Sequence, residues 1–201
     1  MSSVILEHQI ITYPESQLKL SNKMTVDTTS CKSIYIDLDD TLYDFASIYK
    51  SRTGFHPKEL TDEEFWIRLN NDPVGIFSHG RPLYGYLEFL SLVVRVGSTY
   101  GYTVKILSAL SPHNELTMAE QIAEKNAWVK KHITEHGFRI PAIYTGCAED
   151  KKLYSSDGEI LIDDRMSNVD DWLREGGYGI YHRNFQDSTH DLCNALEKLR
   201  E

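Results

Sequence analysis

Short segments rich in β-branched and aromatic residues recur along the chain and alternate with longer segments of helical periodicity. The first of them, SIYIDL, stops abruptly at acidic residues. Such a run, without strict apolar/polar alternation, is typical of a strand that is buried on both faces of a parallel sheet. The five predicted strands are residues 33–38, 103–108, 140–146, 159–163 and 177–181.

Three segments between the predicted strands have helical features. Residues 83–96 carry apolar side chains at helical spacing, and residues 115–133 have an acidic start and a basic end that match the helix dipole. Residues 166–177 end in the Gly pair expected just past a helix. Strands that alternate with helices predict an α/β fold: a three-layer, Rossmann-like core in which helices cover both faces of a parallel sheet.

One segment, residues 44–81, interrupts this alternation after the first predicted strand. It is too long for a loop in a compact domain, and DEEFWIRL within it predicts a short helix with acidic residues in its first turn. We therefore predict a small helical cap over the carboxyl end of the sheet. The rest of the chain divides into an N-terminal extension, residues 1–30, and a core formed by residues 31–43 and 82–201.

The charge, the apolar runs and the cysteines of the chain argue against several classes of protein. The 201 residues include 30 acidic and 21 basic side chains, a net charge of −9, which argues against binding to nucleic-acid polymers because these need clustered Lys and Arg. The chain has no apolar run near the roughly 18–20 residues of a membrane span and no secretory signal pattern at its start. Its three cysteines are widely spaced, without a CxxC pair. We expect a cytoplasmic protein without a membrane partner, and a homodimer is compatible with the sequence.

Polar side chains of complementary chemistry follow the predicted strands. Ligands of open α/β sheets gather at the carboxyl ends of the strands. Carboxylates that converge there repel one another unless a cation lies between them, and an oxygen-rich cluster suits Mg²⁺. A lysine and a hydroxyl suit a phosphoryl group, so the combination predicts phosphoryl transfer with Mg²⁺ as the cofactor. The residues at these positions are Asp37, Asp39, Asp40, Thr41, Ser108, Asp150, Lys151, Lys152, Asp163 and Asp164.

Four motifs resemble, in the same order, those of the haloacid dehalogenase superfamily of phosphatases. IYIDLDDTLYDF contains the DxDxT motif as Asp37, Asp39 and Thr41, and KILSAL has Ser108 at the position of the second-motif hydroxyl. DKKLY carries the third-motif lysine, and EILIDDRMSN carries the acidic pair of the fourth. The resemblance covers residues 33 to about 185 and implies a Mg²⁺-dependent phosphoric monoester hydrolase.

A narrower resemblance is to the 5′(3′)-deoxyribonucleotidase branch of that superfamily. It is carried by GIFSHGRPLYGYLEFL, ILSALSP, EKNAWVKKHI and LIDD. That branch has a small helical cap whose aromatic residues hold the nucleobase, so the resemblance implies a (deoxy)nucleoside monophosphate as the substrate. Members of the branch often have Thr-Ser-Pro at the second motif, where this chain has Ser108-Ala109-Leu110.

The resemblance also implies a role for each matching residue. Asp37 would be the nucleophile that forms an aspartyl-phosphate, Asp39 the general acid and base, and Lys151 the group that neutralises the phosphoryl charge. The implied Mg²⁺ ligands are the side chains of Asp37 and Asp163 and the backbone carbonyl of Asp39, with Asp164 in the outer sphere. The implied substrate and phosphate contacts are Thr41, Phe45, Phe77, Ser108, Ala109 and Lys151.

Several assignments stay open at this stage. Either Lys151 or Lys152 could be the third-motif lysine at the phosphate site. We prefer Lys151, because Asp150-Lys151 reproduces the Asp-Lys pair of nucleotidase relatives. Phe65 and Trp66 suit the core of the cap as well as they suit base stacking. Two tryptophans on amphipathic helices are predicted to lie in the core, Trp128 and Trp172.

Three alternative functions remain besides the nucleotidase. Two keep the chemistry and change the substrate, to a sugar phosphate or to a polynucleotide 3′-phosphate, which the acidic composition disfavours. The third is a non-catalytic module that binds a nucleotide and regulates a partner. The predicted acid at Asp39 argues against it, because a site that only binds has no need of a general acid.

Overall fold

The computed structural model describes residues 32–200, and its centre is a parallel sheet of five strands. Neighbouring strands pair in parallel in the order β3-β2-β1-β4-β5, which confirms the predicted α/β fold. The predicted N-terminal extension, residues 1–30, lies outside the described residues. The strands are β1 (Ser33–Ile36), β2 (Thr103–Ala109), β3 (Ala142–Thr145), β4 (Ile160–Asp163) and β5 (Tyr178–Tyr181).

Helices lie between and beside the strands. Those predicted at residues 83–96, 115–133 and 166–177 are present with ends shifted by up to three residues. Within the described part of the chain, no helix is both long and apolar enough to cross a bilayer. The α-helices are α1 (Phe45–Thr53), α2 (Asp62–Asn70), α3 (Tyr86–Thr99), α4 (Met118–His132), α5 (Met166–Arg174) and α6 (Phe185–Lys198). Short 3₁₀ helices cover Pro57–Glu59, Thr134–His136 and Ala148–Tyr154.

Successive side chains of a strand point to opposite faces of the sheet. Helices pack against both of these faces. Ile34 and Ile36 of β1 belong to the same buried cluster as Leu90 of α3. Tyr35, between them in sequence, packs instead in a second cluster with Trp172 of α5. The sheet is therefore the middle layer of three, and Trp172 lies in the core as predicted.

The insert between β1 and α3, which holds α1 and α2, leaves and rejoins the core at adjacent points. The backbone N–H of Asp44 donates to the carbonyl of Arg81 at 2.9 Å. Next to the return point, Trp128, which is fully buried as predicted, donates from Nε1 to the carbonyl of Gly80 at 2.8 Å. A Cβ at Gly80 would lie 2.0 Å from the Tyr43 ring, so this close approach requires glycine. The assignment of the insert as a separate cap stays a prediction.

His182, directly after β5, is buried among aromatic rings. Its ring centroid lies 5.2 Å from that of Phe185 and 6.2 Å from that of Phe89, and its Nδ1 lies 2.9 Å from Ser188 Oγ. Burial lowers the pKa of His182 to about 4, although the charge of Asp163 acts in the opposite direction. The folded protein therefore keeps this imidazole neutral near pH 7.

We expect His182 to make the fold less stable in acid. The unfolded chain binds a proton at this residue below a pH of about 6.5, whereas the folded protein resists it down to about pH 4. The free energy of unfolding should therefore fall as the pH drops through this window, by about 2 kcal/mol at pH 5 from this residue. In urea denaturation, His182→Gln should remove that part of the pH dependence, whereas His190→Gln, at an exposed position of α6, should not. Equal slopes for the wild type and His182→Gln would contradict this.

Candidate active site

The carboxyl edge of the sheet brings four polar side chains together. Asp37 follows β1, Ser108 lies near the end of β2, Asp163 ends β4, and Lys151 lies in the 3₁₀ helix after β3. All four are buried. Lys151 Nζ donates to Asp37 Oδ1 at 2.6 Å and to Asp163 Oδ2 at 2.7 Å. The residues predicted as nucleophile, lysine and second carboxylate thus form one buried network.

A tight turn directs the chain immediately after β1. The carbonyl of Leu38 accepts hydrogen bonds from the backbone N–H groups of Leu42 at 2.9 Å and Tyr43 at 3.2 Å. Asp40 adopts a left-handed conformation, with φ 53°, and its Oδ1 accepts from the N–H of Ala46 at 2.8 Å. Burial raises the pKa of Asp40 to about 6, against the effect of that hydrogen bond. Asp40 therefore ties the turn to the start of α1.

Three carboxylates are close enough to share one cation. One oxygen each of Asp37, Asp163 and Asp164 lie within 4.8 Å of one another. Burial raises the pKa of Asp37 to about 7, opposed mainly by Lys151, and raises that of Asp164 to about 8, with a further increase from the neighbouring carboxylates. Crowded carboxylates with little solvation are stabilised by a divalent cation, and Mg²⁺ prefers such oxygen ligands. The residues present therefore fit Mg²⁺.

The two adjacent aspartates of this cluster differ in their hydrogen bonds. Both oxygens of Asp163 accept from Asn168 Nδ2, at 3.1 and 3.0 Å, and Oδ1 also accepts from the N–H of Arg165 at 2.8 Å. With Lys151 also donating to it, Asp163 is heavily engaged by protein donors. The resemblance implies an outer-sphere role for Asp164, which stays a prediction; the structure places one of its oxygens in the carboxylate cluster. Asn168 was not predicted; its only signal is its position in the first turns of the helix after the acidic pair.

A second buried lysine, Lys125 of α4, belongs to the same site. Its Nζ donates to Asp39 Oδ2 at 2.5 Å and to Ser108 Oγ at 2.9 Å. It also lies 4.4 Å from the centroid of the Phe77 ring, and its side chain has no exposed surface. The site therefore contains two lysines that contact different carboxylates: Lys151 contacts Asp37 and Asp163, and Lys125 contacts Asp39.

The sequence reasoning missed Lys125, although the chain carries a signal for it. Gln121 precedes it by one helical turn and Trp128 follows it by one turn, and all three residues are fully buried. These positions form one face of α4. A charge on a buried helix face requires a partner, so a lysine in such a stripe marks a candidate site residue.

The remaining predicted site residues differ in their burial and contacts. Thr41 is fully buried, and its Oγ1 has no hydrogen-bond partner within residues 32–200. Ala109, half-buried, is the last residue of β2. Phe45 is half-buried, and its ring centroid lies 6.1 Å from that of the buried Phe77, with the ring planes 20° apart. Lys152 is half-buried and outside the ion-pair network. The roles of these residues stay predictions.

Aromatic rings also fill the insert. Phe65 stacks on the buried Tyr49, with ring centroids 4.6 Å apart, and Trp66 meets Phe65 edge-on at 4.7 Å. Phe65 and Trp66 both pack against the main buried cluster. Their contacts are those of core residues of the insert, which is one of the two interpretations that the sequence left open; the other is base stacking.

Two polar side chains, Asn70 and Glu124, hold the insert against the segment after β2 and against α4. Glu124 accepts the N–H of Phe77 at 3.0 Å. Asn70 at the end of α2 donates from Nδ2 to the carbonyl of His113 at 2.8 Å and accepts from the N–H of Glu115 at 3.0 Å. These contacts lie beside the helix that carries Lys125, so the insert and the site share their support.

Comparison with known proteins supports the fold and does not extend to function. Neither a protein-family model nor a curated protein matches the chain. Among solved structures, D,D-heptose 1,7-bisphosphate phosphatase from Burkholderia thailandensis is 11% identical and covers 81% of this chain and 98% of its own, with a TM-score of 0.51. A haloacid dehalogenase-like family hydrolase from Xanthomonas campestris is 10% identical and covers 88% and 97%, with a TM-score of 0.54. The chain thus has the fold of haloacid dehalogenase-like hydrolases.

Proposed function

We propose that this chain is a Mg²⁺-dependent phosphomonoesterase that hydrolyses (deoxy)nucleoside monophosphates through an aspartyl-phosphate on Asp37. The observation that carries the proposal is the buried network in which Lys151 contacts both Asp37 and Asp163. Asp164 lies in the same cluster, and Asp39 follows the nucleophile by two residues. The resemblance of four ordered motifs to phosphatases of this fold supports the same assignment.

The proposed chemistry assigns one bond or proton to each group. Asp37 attacks phosphorus, and a new P–O bond forms as the bond to the leaving oxygen breaks. Asp39 gives a proton to the leaving oxygen and later takes one from the water that hydrolyses the aspartyl-phosphate. Lys151 neutralises part of the charge on the phosphoryl oxygens. An acid at Asp39 favours phosphate esters over halogenated substrates, which need no such acid.

The metal would be held at the carboxylate cluster. Its ligands would be the side chains of Asp37 and Asp163 and the backbone carbonyl of Asp39. We add the side chain of Asp164 as a candidate, because Asp163 accepts more hydrogen bonds from protein donors than Asp164 does. Bound Mg²⁺ would supply the positive charge that allows a carboxylate to approach a phosphate dianion.

The nucleotide as substrate rests on the narrower resemblance and on Phe45, a half-buried aromatic residue that is close to the site in sequence and contacts Phe77, the ring beside Lys125. One observation favours a small sugar phosphate instead: Phe77, the other predicted stacking residue, is only 6% exposed and contacts Phe45 and Lys125. Little of its ring is left for a base in this conformation. The substrate class is therefore the part of the proposal to test first.

A panel of phosphate esters at fixed Mg²⁺ separates these substrates. We expect kcat/KM for deoxyribonucleoside and ribonucleoside monophosphates to exceed that for ribose 5-phosphate and hexose phosphates at least about tenfold, because base stacking adds roughly 1–3 kcal/mol. The measurement is release of inorganic phosphate. Equal values for nucleotides and ribose 5-phosphate would overturn the nucleotide assignment and leave the phosphatase.

Chelation provides the control for the chemistry itself. EDTA should stop turnover of every ester in the panel, and excess Mg²⁺ should restore it. A protein that binds nucleotides but releases no phosphate from any ester, with or without Mg²⁺, would be the non-catalytic module, and the proposed function would fail.

A further inference from the structure

We propose that Lys125 is a positioning residue that holds Asp39 in place to protonate the leaving oxygen. The inference rests on the proposed phosphatase function and extends it to a residue outside the four motifs, within the segment EKNAWVKKHI of the narrower resemblance. The two lysines of the site then have different roles. Lys151 contacts the nucleophile and neutralises the phosphoryl group, and Lys125 holds the general acid Asp39.

The contacts of Lys125 leave it no access to a substrate. Two of its three N–H groups donate to Asp39 Oδ2 at 2.5 Å and Ser108 Oγ at 2.9 Å. The Phe77 ring lies against the ammonium group at 4.4 Å from its centroid. The Lys125 side chain is fully buried, whereas 28% of the Asp39 side chain is exposed. Lys125 must therefore act through the groups that it holds.

The geometry of Asp39 shows why such a holder matters. Its other oxygen, Oδ1, is buried without a hydrogen bond of normal geometry from residues 32–200, and the buried Tyr43 hydroxyl is the other polar group close to this carboxylate. The contact with Lys125 is the ion pair that fixes the orientation of this carboxylate, since Lys151 pairs with Asp37 and Asp163 instead. A general acid must lie within hydrogen-bond reach of the atom that it protonates. Loss of Lys125 would let Asp39 rotate away from the leaving oxygen.

The backbone of Lys125 is itself well anchored. Its neighbour Glu124 accepts the N–H groups of Gly75 and Phe77, and the buried Trp128 donates to Gly80. The insert therefore bonds to α4 at residues before and after Lys125 in sequence. A short ion pair to a fully buried lysine on a helix held in this way gives little freedom to Asp39, as a positioning role requires.

The test compares two leaving groups in Lys125→Met. The quantity is kcat/KM, which reports on the steps up to loss of the leaving group. A nucleoside monophosphate leaves as an alkoxide that needs a proton, whereas p-nitrophenyl phosphate leaves without one. We expect kcat/KM to fall about 10²-fold for the nucleotide and less than about threefold for the aryl phosphate. Lys130→Met, at an exposed position of the same helix, should change neither.

Other results would overturn the positioning role. An equal fall for both esters, mostly in KM, would make Lys125 a phosphate-binding group. In an Asp39→Asn background, the further change Lys125→Met should lower nucleotide kcat/KM less than about threefold, because the group that it positions is already lost. A larger additional loss would also contradict the proposal.

Two further observations keep the outcomes distinct. Aryl phosphate turnover by Lys125→Met reports that the variant is folded, and thermal melting checks this independently. If Lys125→Met does not fold, the positioning role is tested by comparing Asp39→Asn with the double variant. The double variant leaves no unpaired charge at this contact. If the wild type hydrolyses neither ester, the proposed function fails; if it hydrolyses both and the two fall equally in the variant, only the role of Lys125 fails.

Discussion

Replacement of Asp37 with asparagine is expected to lower phosphate release at least about 10⁴-fold, because the reaction would lose its proposed nucleophile. Asparagine has nearly the same shape, so it fits the buried position between β1 and Lys151. Burial raises the pKa of Asp37 to about 7, so the folded protein gains little from this charge, and the melting temperature should stay the same or rise. The measurement is release of inorganic phosphate at saturating Mg²⁺.

A matched control makes this result specific. Asp170→Asn removes one carboxylate from an exposed position of α5 and should leave activity unchanged. Acid-quenched wild-type enzyme should carry a phosphoryl group on the peptide that contains Asp37, and the Asp37→Asn variant should carry none. Activity of Asp37→Asn within about tenfold of the wild type would contradict the assigned mechanism, whatever the substrate.

The second large effect separates two adjacent lysines. Lys151→Met should lower kcat/KM about 10²- to 10³-fold, because it removes the fixed positive charge beside Asp37 and the phosphoryl group. Lys152→Met removes the same charge one residue away, where the side chain is half-buried and outside the network, and should stay within about threefold of the wild type. The two variants differ only in position, so each is the control of the other.

Folding must be checked in this pair. Lys151→Met leaves Asp37 and Asp163 without their shared cation, so its thermal melting should be measured at saturating Mg²⁺, which can neutralise the same carboxylates. A greater loss of activity in Lys152→Met than in Lys151→Met, with both variants folded, would assign the phosphate site to Lys152.

The order of elements could be predicted because each signal is local. A β-rich run that stops at acidic residues, as before Asp37 and after Ile162, marks a strand end without knowledge of its neighbours. Two helices escaped prediction: α1 and α6, whose starts depend on single capping side chains, Asp44 and Asn184. Such caps are common in loops as well, and one polar residue cannot distinguish the two.

The content of the site was predicted where motifs lie at strand ends and was missed where a helix supplies a residue. Asp37, Lys151 and Asp163 were predicted together, and the structure brings them within hydrogen-bond distance. Lys125 and Asn168 were missed, since they reach the site from the faces of α4 and α5. A helix pattern indicates which face is buried, but not what that face will contact.

The sequence by itself determined the α/β class and the set of polar groups at the carboxyl edge, because parallel strands place all their carboxyl ends on one side. The tertiary structure alone decided which groups pair: Lys151 with Asp37 and Asp163, Lys125 with Asp39, and Asp164 with the carboxylate cluster. Those pairings depend on the packing of helices against the sheet to within an ångström or so. Residues 86 positions apart, as in the Lys125–Asp39 contact, meet through that packing and through no pattern in the chain between them.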